Sequence, residues 1–559
     1  MDNRRLILVL IFCFSTFMLW SKWQEFNQPK PQPGATANAP ATAGSAAPQP
    51  SSSLQAGTPA APVATAAPAN PAAETVRIKT DLMEATVSTL GGDLVELELL
   101  KYRAHESNDK NFVLLDPKHH YVAQSGLSGD SLPNHRSQFK LVPGPRELAD
   151  GANELKVRLE AATPEGIKVA KVYTFKRGSY LIDLAWEIDN GSGKPITPYA
   201  YYQLQRDNVA PAGESRMVST FTGPAVYNET DKYQKIDFSD VEKDKTKFAA
   251  NKPAAGRTAS DGWLGMVQHY FVSAWVPHGN SPREFYVRKV EGAGEVFQAG
   301  LILPMAQVAP GAKATTDVGF YAGPQEQERL KEIAPGLDLV VDYGWLTLVA
   351  KPIFWALEAI HKLVGNWGWS IIILTIGIKA IFFPLSAASY KSMAKMRTLT
   401  PRLAQLKERF GDDRQRLNQE MMKLYQTEKV NPLGGCLPIM VQIPVFIALY
   451  WVLLGAVEMR GAPWLGWIHD LTASDPFYIL PVIMVATMLI QTKLNPTPPD
   501  PMQAKVMMFM PFMFGFMFFF FPAGLVLYWV VNNILSIAQQ WQITRMIEAG
   551  GKAANDAKA

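Results

Sequence analysis

Hydrophobic and polar positions divide the chain into two parts with different periodicities. From about residue 75 to residue 335, short runs alternate apolar and polar side chains, with turn residues between them. Period-two alternation bounded by Gly, Asn and Asp is typical of antiparallel β-strands. From about residue 345 onward, long apolar runs replace this alternation. The pattern predicts a β-rich domain followed by a hydrophobic helical region.

Two turns in the β-rich part indicate hairpins. Residues 91–93 (Gly-Gly-Asp) lie between the strand-like runs "MEATVSTL" and "LVELELLKYR", and residues 176–178 (Lys-Arg-Gly) separate "GIKVAKVYTF" from "SYLIDLAWEIDN". Many short strands over about 250 residues predict a large antiparallel β-sandwich, here residues 75–335. Residues 28–74 consist mainly of Ala, Pro, Ser, Gln, Gly and Thr, which predicts a disordered linker.

Apolar runs predict six membrane spans. The first lies in residues 1–27, where Arg4 and Arg5 precede an apolar stretch that has no small-residue cleavage site after it. This pattern predicts an uncleaved signal anchor with its arginines in the cytoplasm. The other five predicted spans are Trp369–Leu385, Pro438–Leu454, Pro476–Thr492, Met507–Phe521 and Ala523–Trp541.

Residues 336–368 predict a helix that precedes the second span. Its apolar positions recur at helical spacing and tryptophans lie nearby, as in a helix at a membrane interface. These positions are Leu346, Val349, Ile353, Leu357, Ile360 and Val364. The alternative is an ordinary helix packed on the β-domain.

Basic residues fix the expected orientation. Residues 386–431 contain ten Lys and Arg, whereas the loop at residues 457–475 contains Arg460 alone. The positive-inside rule therefore places residues 386–431 and both termini, including the short tail 542–559, in the cytoplasm. The β-domain is then on the opposite side. Spans three to six lie within residues 432–541.

The basic segment itself predicts a helical hairpin, with residues 411–413 between its arms. Its apolar stripes are Leu399, Leu403, Leu406 and Phe410, and Leu417, Met421, Leu424 and Tyr425. Its charges could contact a ribosome or anionic lipid headgroups, or the hairpin could merely connect two spans. Spacing alone leaves these alternatives open.

Composition and motifs argue against catalysis. The net charge of +4 is small for 559 residues, and the two cysteines, Cys13 and Cys436, lie in or beside apolar runs, which does not indicate a disulfide. The sequence contains no Gly-x-x-x-x-Gly-Lys phosphate loop, no His-Glu-x-x-His and no Cys-x-x-Cys. We therefore expect no enzymatic activity, no metal and no cofactor.

Polar residues inside the predicted spans are the candidates for function. Thr375 and Lys379 are four residues apart and share a helix face, Gln442 lies in the third span, and Asn532 and Asn533 lie in the sixth. A charge at such a depth costs about 3 kcal/mol, so these side chains usually face a bundle interior or a hydrated cavity. Alternatively, Lys379 reaches along its helix to the interface, and the amides bond neighbouring helices.

Two long segments resemble the YidC family of membrane-protein insertases, which includes the mitochondrial oxidase-assembly insertase and its chloroplast counterpart. They are "YKSMAKMRTLTPRLAQLKERFGDDRQRLNQEMMKLYQTEKVNPLGGCLPIMVQIPVFIALYW" and "FPAGLVLYWVVNNILSIAQQW". The resemblance covers residues 345–546, and the anchor and β-domain resemble the Gram-negative branch, whose periplasmic domain is a super-sandwich.

The resemblance implies a five-helix core around a hydrophilic groove, open to the cytoplasm and to lipid but closed toward the periplasm. The family has an arginine at the position of Lys379, so the positive charge is kept while the two-pronged guanidinium is lost. The other groove positions are matched by Thr375, Gln442, Trp529 and Asn533. The implied location is the bacterial inner membrane.

The implied partners are nascent membrane proteins, the Sec translocon (SecYEG with accessory SecDF), the translating ribosome and the phospholipid bilayer, with no specific nucleic-acid sequence. The tail at residues 542–559 is short and weakly charged, which argues against ribosome docking through it. A small-solute transporter or channel with a periplasmic ligand-binding domain is the alternative function. A scaffold that holds membrane proteins without inserting them is a third.

Overall fold

The computed structural model describes residues 48, 73–104, 109–129, 132–211, 220–410, 413–428, 437–494 and 501–556. The predicted signal anchor at residues 1–27, and the linker at residues 28–74 apart from residues 48, 73 and 74, lie outside this part of the chain. The described residues divide into two compact units, with the division between Val341 and Asp342. Each unit is described by itself.

The first unit is the predicted antiparallel β-sandwich. Its strands are β1 (Thr75–Lys79), β2 (Met83–Ser88), β3 (Leu94–Arg103), β4 (Asn111–Leu115), β5 (Val122–Ser128), β6 (Lys140–Leu141), β7 (Glu154–Ala162), β8 (Ile167–Lys176), β9 (Leu181–Asn190), β10 (Tyr199–Asp207), β11 (Gly223–Tyr227), β12 (Gln234–Lys235), β13 (Thr258–Ala259), β14 (Trp263–Gln268), β15 (Phe271–Pro277), β16 (Arg283–Lys289), β17 (Val296–Pro304) and β18 (Lys313–Pro324). Two short helices accompany them, α1 (Phe238–Glu242) and α2 (Gln327–Ile333).

The strands form two sheets. One has the order β1-β2-β3-β5-β10-β17-β16-β13, with β4 paired to β3, and the other has the order β12-β11-β14-β15-β18-β9-β8-β7-β6. Both predicted hairpins are confirmed, because β2 pairs with β3 and β8 pairs with β9 in antiparallel register. Gly91, Gly92 and Gly178 have positive φ at these turns, a conformation that glycine adopts without steric cost.

The second unit is helical. Its helices are α3 (Thr347–Val364), α4 (Trp367–Ile381), α5 (Phe383–Phe410), α6 (Arg414–Thr427), α7 (Leu437–Gly455), α8 (Ile479–Leu494), α9 (Pro501–Phe518) and α10 (Ala523–Asp556). Taken one at a time, the helices of the described residues lack the combination of length and hydropathy that crossing a bilayer requires. The pair formed by α4 and residues Phe383–Ser392 of α5 has that combination, across a bend of 63°.

The bend separates what the sequence predicts as a single span, Trp369–Leu385. Helix α4 ends at Ile381 and α5 begins at Phe383, one residue before Pro384. A proline has no backbone N–H and its ring clashes with the carbonyl four residues earlier, so it breaks a continuous helix but is tolerated in the first turn of the next one. Leu385 therefore belongs to α5.

Helix α3 buries Leu357 of the predicted apolar face, while other apolar side chains of the helix are exposed. Its buried side chains are Ala350, Phe354 and Leu357, and the helix packs against α7 and α4. Val364, assigned to the apolar face by spacing, is exposed, as are Leu348, Trp355 and Leu363. Apolar residues therefore occur on both sides of this helix, and one side packs against the neighbouring helices.

The predicted hairpin is present as α5 and α6. Leu399 and Leu403 of α5 are buried and pack against three residues of α6, Met421, Leu424 and Tyr425. Asp413 caps α6 by accepting hydrogen bonds from the backbone N–H groups of Gln415 and Arg416. The two arms thus form a small apolar core of their own.

Candidate functional site: a buried lysine among polar helix faces

Helix α4 holds Thr375 and Lys379 on one buried face. The side chain of Asn366, the residue before α4, caps the helix by accepting a hydrogen bond from the backbone N–H of Trp369. The apolar run that follows continues to Ile381. Thr375 is 1% exposed and Lys379 is 7% exposed. The spacing of four residues therefore places both side chains toward the neighbouring helices, as predicted.

The amine of Lys379 bonds the last helix. Its Nζ donates a hydrogen bond to Oγ of Ser536 at 2.8 Å, and this hydroxyl donates in turn to the backbone carbonyl of Asn532 at 2.7 Å. The lysine side chain is directed inward to α10, which argues against the alternative in which it extends along its own helix to the membrane interface.

Lys379 has no carboxylate partner among the described residues. Its ammonium group has three hydrogen-bond donors, and Ser536 is the acceptor found for it in this part of the chain. A neutral hydroxyl does not compensate the charge of a cation removed from water, since buried charges are normally paired. The site therefore retains an attraction for a negatively charged group.

Gln442 extends the polar contacts to α7. Its Nε2 donates to Oδ1 of Asn532 at 2.6 Å. Asn532 lies one turn before Ser536 on the same face of α10, because the two residues are four apart. Lys379, Ser536, Asn532 and Gln442, here called the polar cluster, connect α4, α10 and α7.

Two predicted groove residues make other contacts. The hydroxyl of Thr375 donates to the carbonyl of Ile371 in its own helix at 2.6 Å. The side-chain amide of Asn533 donates to Oγ1 of Thr487 at 3.3 Å and to Sδ of Met484 at 3.4 Å, both on α8. Thr375 is thus near Lys379 without bonding it, and Asn533 joins α10 to α8 outside the polar cluster.

Trp529 is partly exposed and lies among aromatic rings. Its ring centroid is 4.6 Å from that of Phe446 on α7 and 5.6 Å from that of Phe518 on α9. Its indole Nε1 is buried and has no hydrogen-bond partner among the described residues. A buried donor without a partner is uncommon in folded proteins.

Sequence reasoning missed Ser536 and left Asn532 out of the proposed groove. A signal for both was present, because Asn532, Ser536 and Gln540 recur every four residues along α10 and are all buried. Serine is common in helices of membrane proteins, and this made its position in the stripe easy to overlook. The described residues contain no group of three or more His, Cys, Asp or Glu that could hold a metal ion.

Two family models match consecutive parts of the chain. The model described as YidC periplasmic domain matches residues 75–356, and the model described as 60Kd inner membrane protein matches residues 359–550. Membrane protein insertase YidC of Dechloromonas aromatica (strain RCB) is 70% identical over 565 residues, which cover 100% of both chains. The chain belongs to the YidC family of membrane protein insertases.

A second relative agrees with this assignment. Membrane protein insertase YidC of Aromatoleum aromaticum is 56% identical over 561 residues, covering 100% of both chains. A crystal structure of an active YidC insertase with its first transmembrane domain resolved has 17% identity and a TM-score of 0.39, and the match covers 83% of this chain and 91% of that chain. The relatives are named for insertion, which is not an enzymatic activity.

Family membership confirms the predicted class of protein. It is an inner membrane protein with a periplasmic domain, and the described residues show that domain as a two-sheet antiparallel sandwich followed by helices. Its function as a membrane protein insertase follows from the same assignment.

Proposed function

We propose that the polar cluster receives the polar end of a nascent membrane protein while its apolar segment moves into lipid. The observation that supports this is Lys379, whose buried ammonium group has one neutral partner, Ser536, among the described residues. An acidic tail or short loop would supply the missing negative charge. The attraction is that of a point charge, because lysine lacks the rigid fork of an arginine.

The polar cluster lowers the free-energy cost of moving polar groups past the membrane core, but it does not supply the driving force for insertion. An apolar helix of about 20 residues gains several kcal/mol on entering the bilayer, enough to carry a short polar tail with it. The membrane potential adds about 2.3 kcal/mol per elementary charge and 100 mV. Long or strongly charged loops exceed this gain, and for such substrates the protein acts together with the Sec translocon.

The hairpin of α5 and α6 is the receiving element on the cytoplasmic side. The ten Lys and Arg of residues 386–431, to which the hairpin belongs, support a cytoplasmic position for it, with both termini on the same side. Its arms pack on each other through Leu399 and Leu403, so it presents its charged faces outward. Nascent chains delivered by the translating ribosome pass this surface, beside the lipid headgroups, on their way to the polar cluster.

Thr375, Trp529 and Asn533 have supporting roles in this proposal. Thr375 keeps a small side chain beside Lys379, and Trp529 presents its partly exposed aromatic ring to the substrate. Asn533 holds α8 against α10 through Thr487. The substrate therefore contacts helices α4, α7 and α10, with α8 as their support.

Reconstitution of the purified full chain tests the proposed function. Proteoliposomes receive a single-span substrate with a short acidic tail, and protease protection of that tail measures insertion. We expect protection that depends on the protein and needs no ATP. Solute flux without tail protection would support a transporter, and substrate binding without protection would support a scaffold; either result contradicts insertion.

A further inference from the structure

The loop between α7 and α8, residues 456–478, is folded back on itself. The backbone N–H of Leu471 donates to the carbonyl of Ala462 at 3.0 Å, and that of Trp464 donates to the carbonyl of Ile468 at 3.0 Å. Ile468, Leu471 and Met459 are buried. A connection with its own hydrogen bonds and buried side chains is a fixed element of the helical unit.

This 456–478 loop binds the beginning of α10. The N–H of Ala523 donates to the carbonyl of Ala473 at 2.7 Å, and the N–H of Gly524 donates to the carbonyl of Leu471 at 2.9 Å. The first N–H groups of a helix have no partner within the helix, so the loop satisfies two of them. A Cβ at Gly524 would lie 3.1 Å from the oxygen of Leu471, which explains the glycine.

The same loop also binds the beginning of α4. Nδ2 of Asn366, the residue that caps α4, donates to the carbonyl of Pro463 at 3.1 Å. The indole of Trp464 lies against Gly368, where a Cβ would come within 2.2 Å of the ring. Helices α4 and α10 therefore start from one loop and extend from it side by side.

Lys379 and Ser536 meet at matching distances from this loop. At 1.5 Å per residue, Lys379 lies about 17 Å beyond Gly368 and Ser536 lies about 18 Å beyond Gly524. Their 2.8 Å hydrogen bond thus depends on the two helices keeping the spacing that the loop sets at their beginnings. A shift of one helix start along its axis would separate the amine from the hydroxyl.

Asp475 holds the loop together. It is 1% exposed, and its Oδ1 accepts from Nε1 of Trp467 at 2.9 Å and from the N–H of Phe477 at 3.0 Å. Its Oδ2 accepts from the N–H of Leu480 in the first turn of α8 at 2.7 Å. A carboxylate is favourable at the positive end of a helix. The following Tyr478 has a φ of +57°, a conformation that needs such support in a non-glycine residue.

We propose that Asp475 is a positioning residue that keeps the 456–478 loop closed over the beginnings of α4, α8 and α10. Through the loop it fixes the spacing of α4 and α10, holds Lys379 at Ser536 and separates the polar cluster from water on the loop side of the membrane. This proposal rests on the proposed function for its orientation, with the loop on the side opposite the basic hairpin.

Cysteine labelling in the full chain tests this role without requiring insertion. The parent carries Thr375→Cys, with Cys13→Ser and Cys436→Ser, in sealed vesicles of either orientation, and a membrane-impermeant maleimide is added outside. We expect slow labelling from the loop side in the parent. Asp475→Ala should label about tenfold faster from that side, because three buried hydrogen bonds are lost.

Asp470→Asn is the matched control. Among the described residues, its carboxylate accepts hydrogen bonds from the N–H and hydroxyl of Thr472 in the same loop, so the labelling rate should not change. Unchanged labelling of Asp475→Ala, or fast labelling of the parent from the loop side, would overturn the proposal. If Asp475→Ala does not accumulate in the membrane, Trp467→Phe replaces it, because this change removes one hydrogen bond to Asp475 and keeps an aromatic ring. The Trp467→Phe variant should label faster than the parent. An unchanged labelling rate would contradict the positioning role of Asp475.

Insertion supplies a second readout. Loss of positioning should reduce insertion of acidic-tailed substrates more than that of neutral-tailed ones, because Lys379 leaves its place. An equal reduction of both would assign Asp475 a merely structural role. If wild-type protein inserts no substrate, the proposed function fails, while the labelling result still tests the loop.

Discussion

Lys171 and Lys379 are both buried, and their ammonium groups have different surroundings. Lys171, in the β-sandwich, donates to oxygens of Gly91, Asp93 and Ser125. All three of its donors thus have acceptors, one of them charged. Lys379 has the single hydroxyl of Ser536 among the described residues. By this comparison, Lys171 is a structural lysine and Lys379 is available to a substrate.

Replacement of Lys171 by methionine should destabilise the β-sandwich by about 3–5 kcal/mol, because it leaves the buried carboxylate of Asp93 without its cation. Burial already raises the pKa of Asp93 to about 6, although Lys171 opposes this shift. The folded state therefore binds this proton more tightly than the unfolded chain. The stabilisation that comes from this protonation of Asp93 is complete below the ordinary pKa of 3.8 and declines as the pH rises to about 6.

Urea unfolding of the purified full chain, followed by protease susceptibility of the β-sandwich, measures this effect. In Lys171→Met the decline should continue above pH 6, because the pKa of Asp93 rises further. Lys171→Met with Asp93→Asn should recover part of the loss. A single variant as stable as the parent across this pH range would show that the pair contributes nothing.

The sequence determined which faces of single helices are polar, but not which faces meet. Thr375 and Lys379 were predicted to share a face, and they do. Their partner Ser536 lies on a helix far along the chain, and no local spacing connects the two. Asn533 was grouped with Gln442, whereas its neighbour Asn532 makes that contact and Asn533 bonds α8. Adjacent residues of a helix point about 100° apart, so the difference is decided by helix packing.

At the scale of elements, the sequence predicted features that depend on neighbouring residues, such as the apolar stripes of the hairpin helices. The apolar stripes predicted a helical hairpin, and in the structure Leu399 and Leu403 of one stripe form a cluster against which Met421, Leu424 and Tyr425 of the other pack. The break after Ile381 was missed because hydropathy continues across Pro384. For the 456–478 loop, the sequence predicted only the side of the membrane, from its few basic residues. Many of the loop's hydrogen bonds join backbone groups, and its side-chain bonds, such as those of Asp475, follow no periodic pattern in the sequence.

Deletion of residues 407–421, with a flexible linker of equal length in their place, should abolish insertion while the protein remains in the membrane. The deletion removes the end of α5 and the beginning of α6, and with them Met421 from the hairpin core. Membrane fractionation and protease protection of a substrate tail measure the two properties. Normal insertion by this variant would reduce the hairpin to a connector.

At the scale of the whole molecule, the sequence predicted the sandwich and the helical region but not the arrangement of strands. Turn residues predicted that β2 pairs with β3 and that β8 pairs with β9. The pairing of β18 with β9, and of β10 with both β5 and β17, joins distant segments and depends on packing of whole sheets. The two units could be predicted because apolar residues recur with a period of two in the first and form long apolar runs in the second.

Deletion of residues 75–335 should be tolerated better than deletion of the hairpin. The polar cluster lies wholly in the helical unit, so loss of the β-sandwich leaves Lys379 and Ser536 in place. Complementation of a strain depleted of its own insertase measures this. Failure to grow, with the shortened protein present at normal level, would give the β-sandwich an essential role.

The most direct test of the account compares tail charge with the residue at position 379. Proteoliposomes containing the parent, Lys379→Ala, Lys379→Arg or the exposed control Lys362→Ala receive single-span substrates that differ only in an acidic or a neutral tail. We predict that Lys379→Ala loses insertion of the acidic-tailed substrate much more than of the neutral one, while Lys379→Arg and Lys362→Ala behave like the parent. Equal insertion of both substrates by Lys379→Ala, at parental rates, would contradict the claim that this buried charge draws the substrate in.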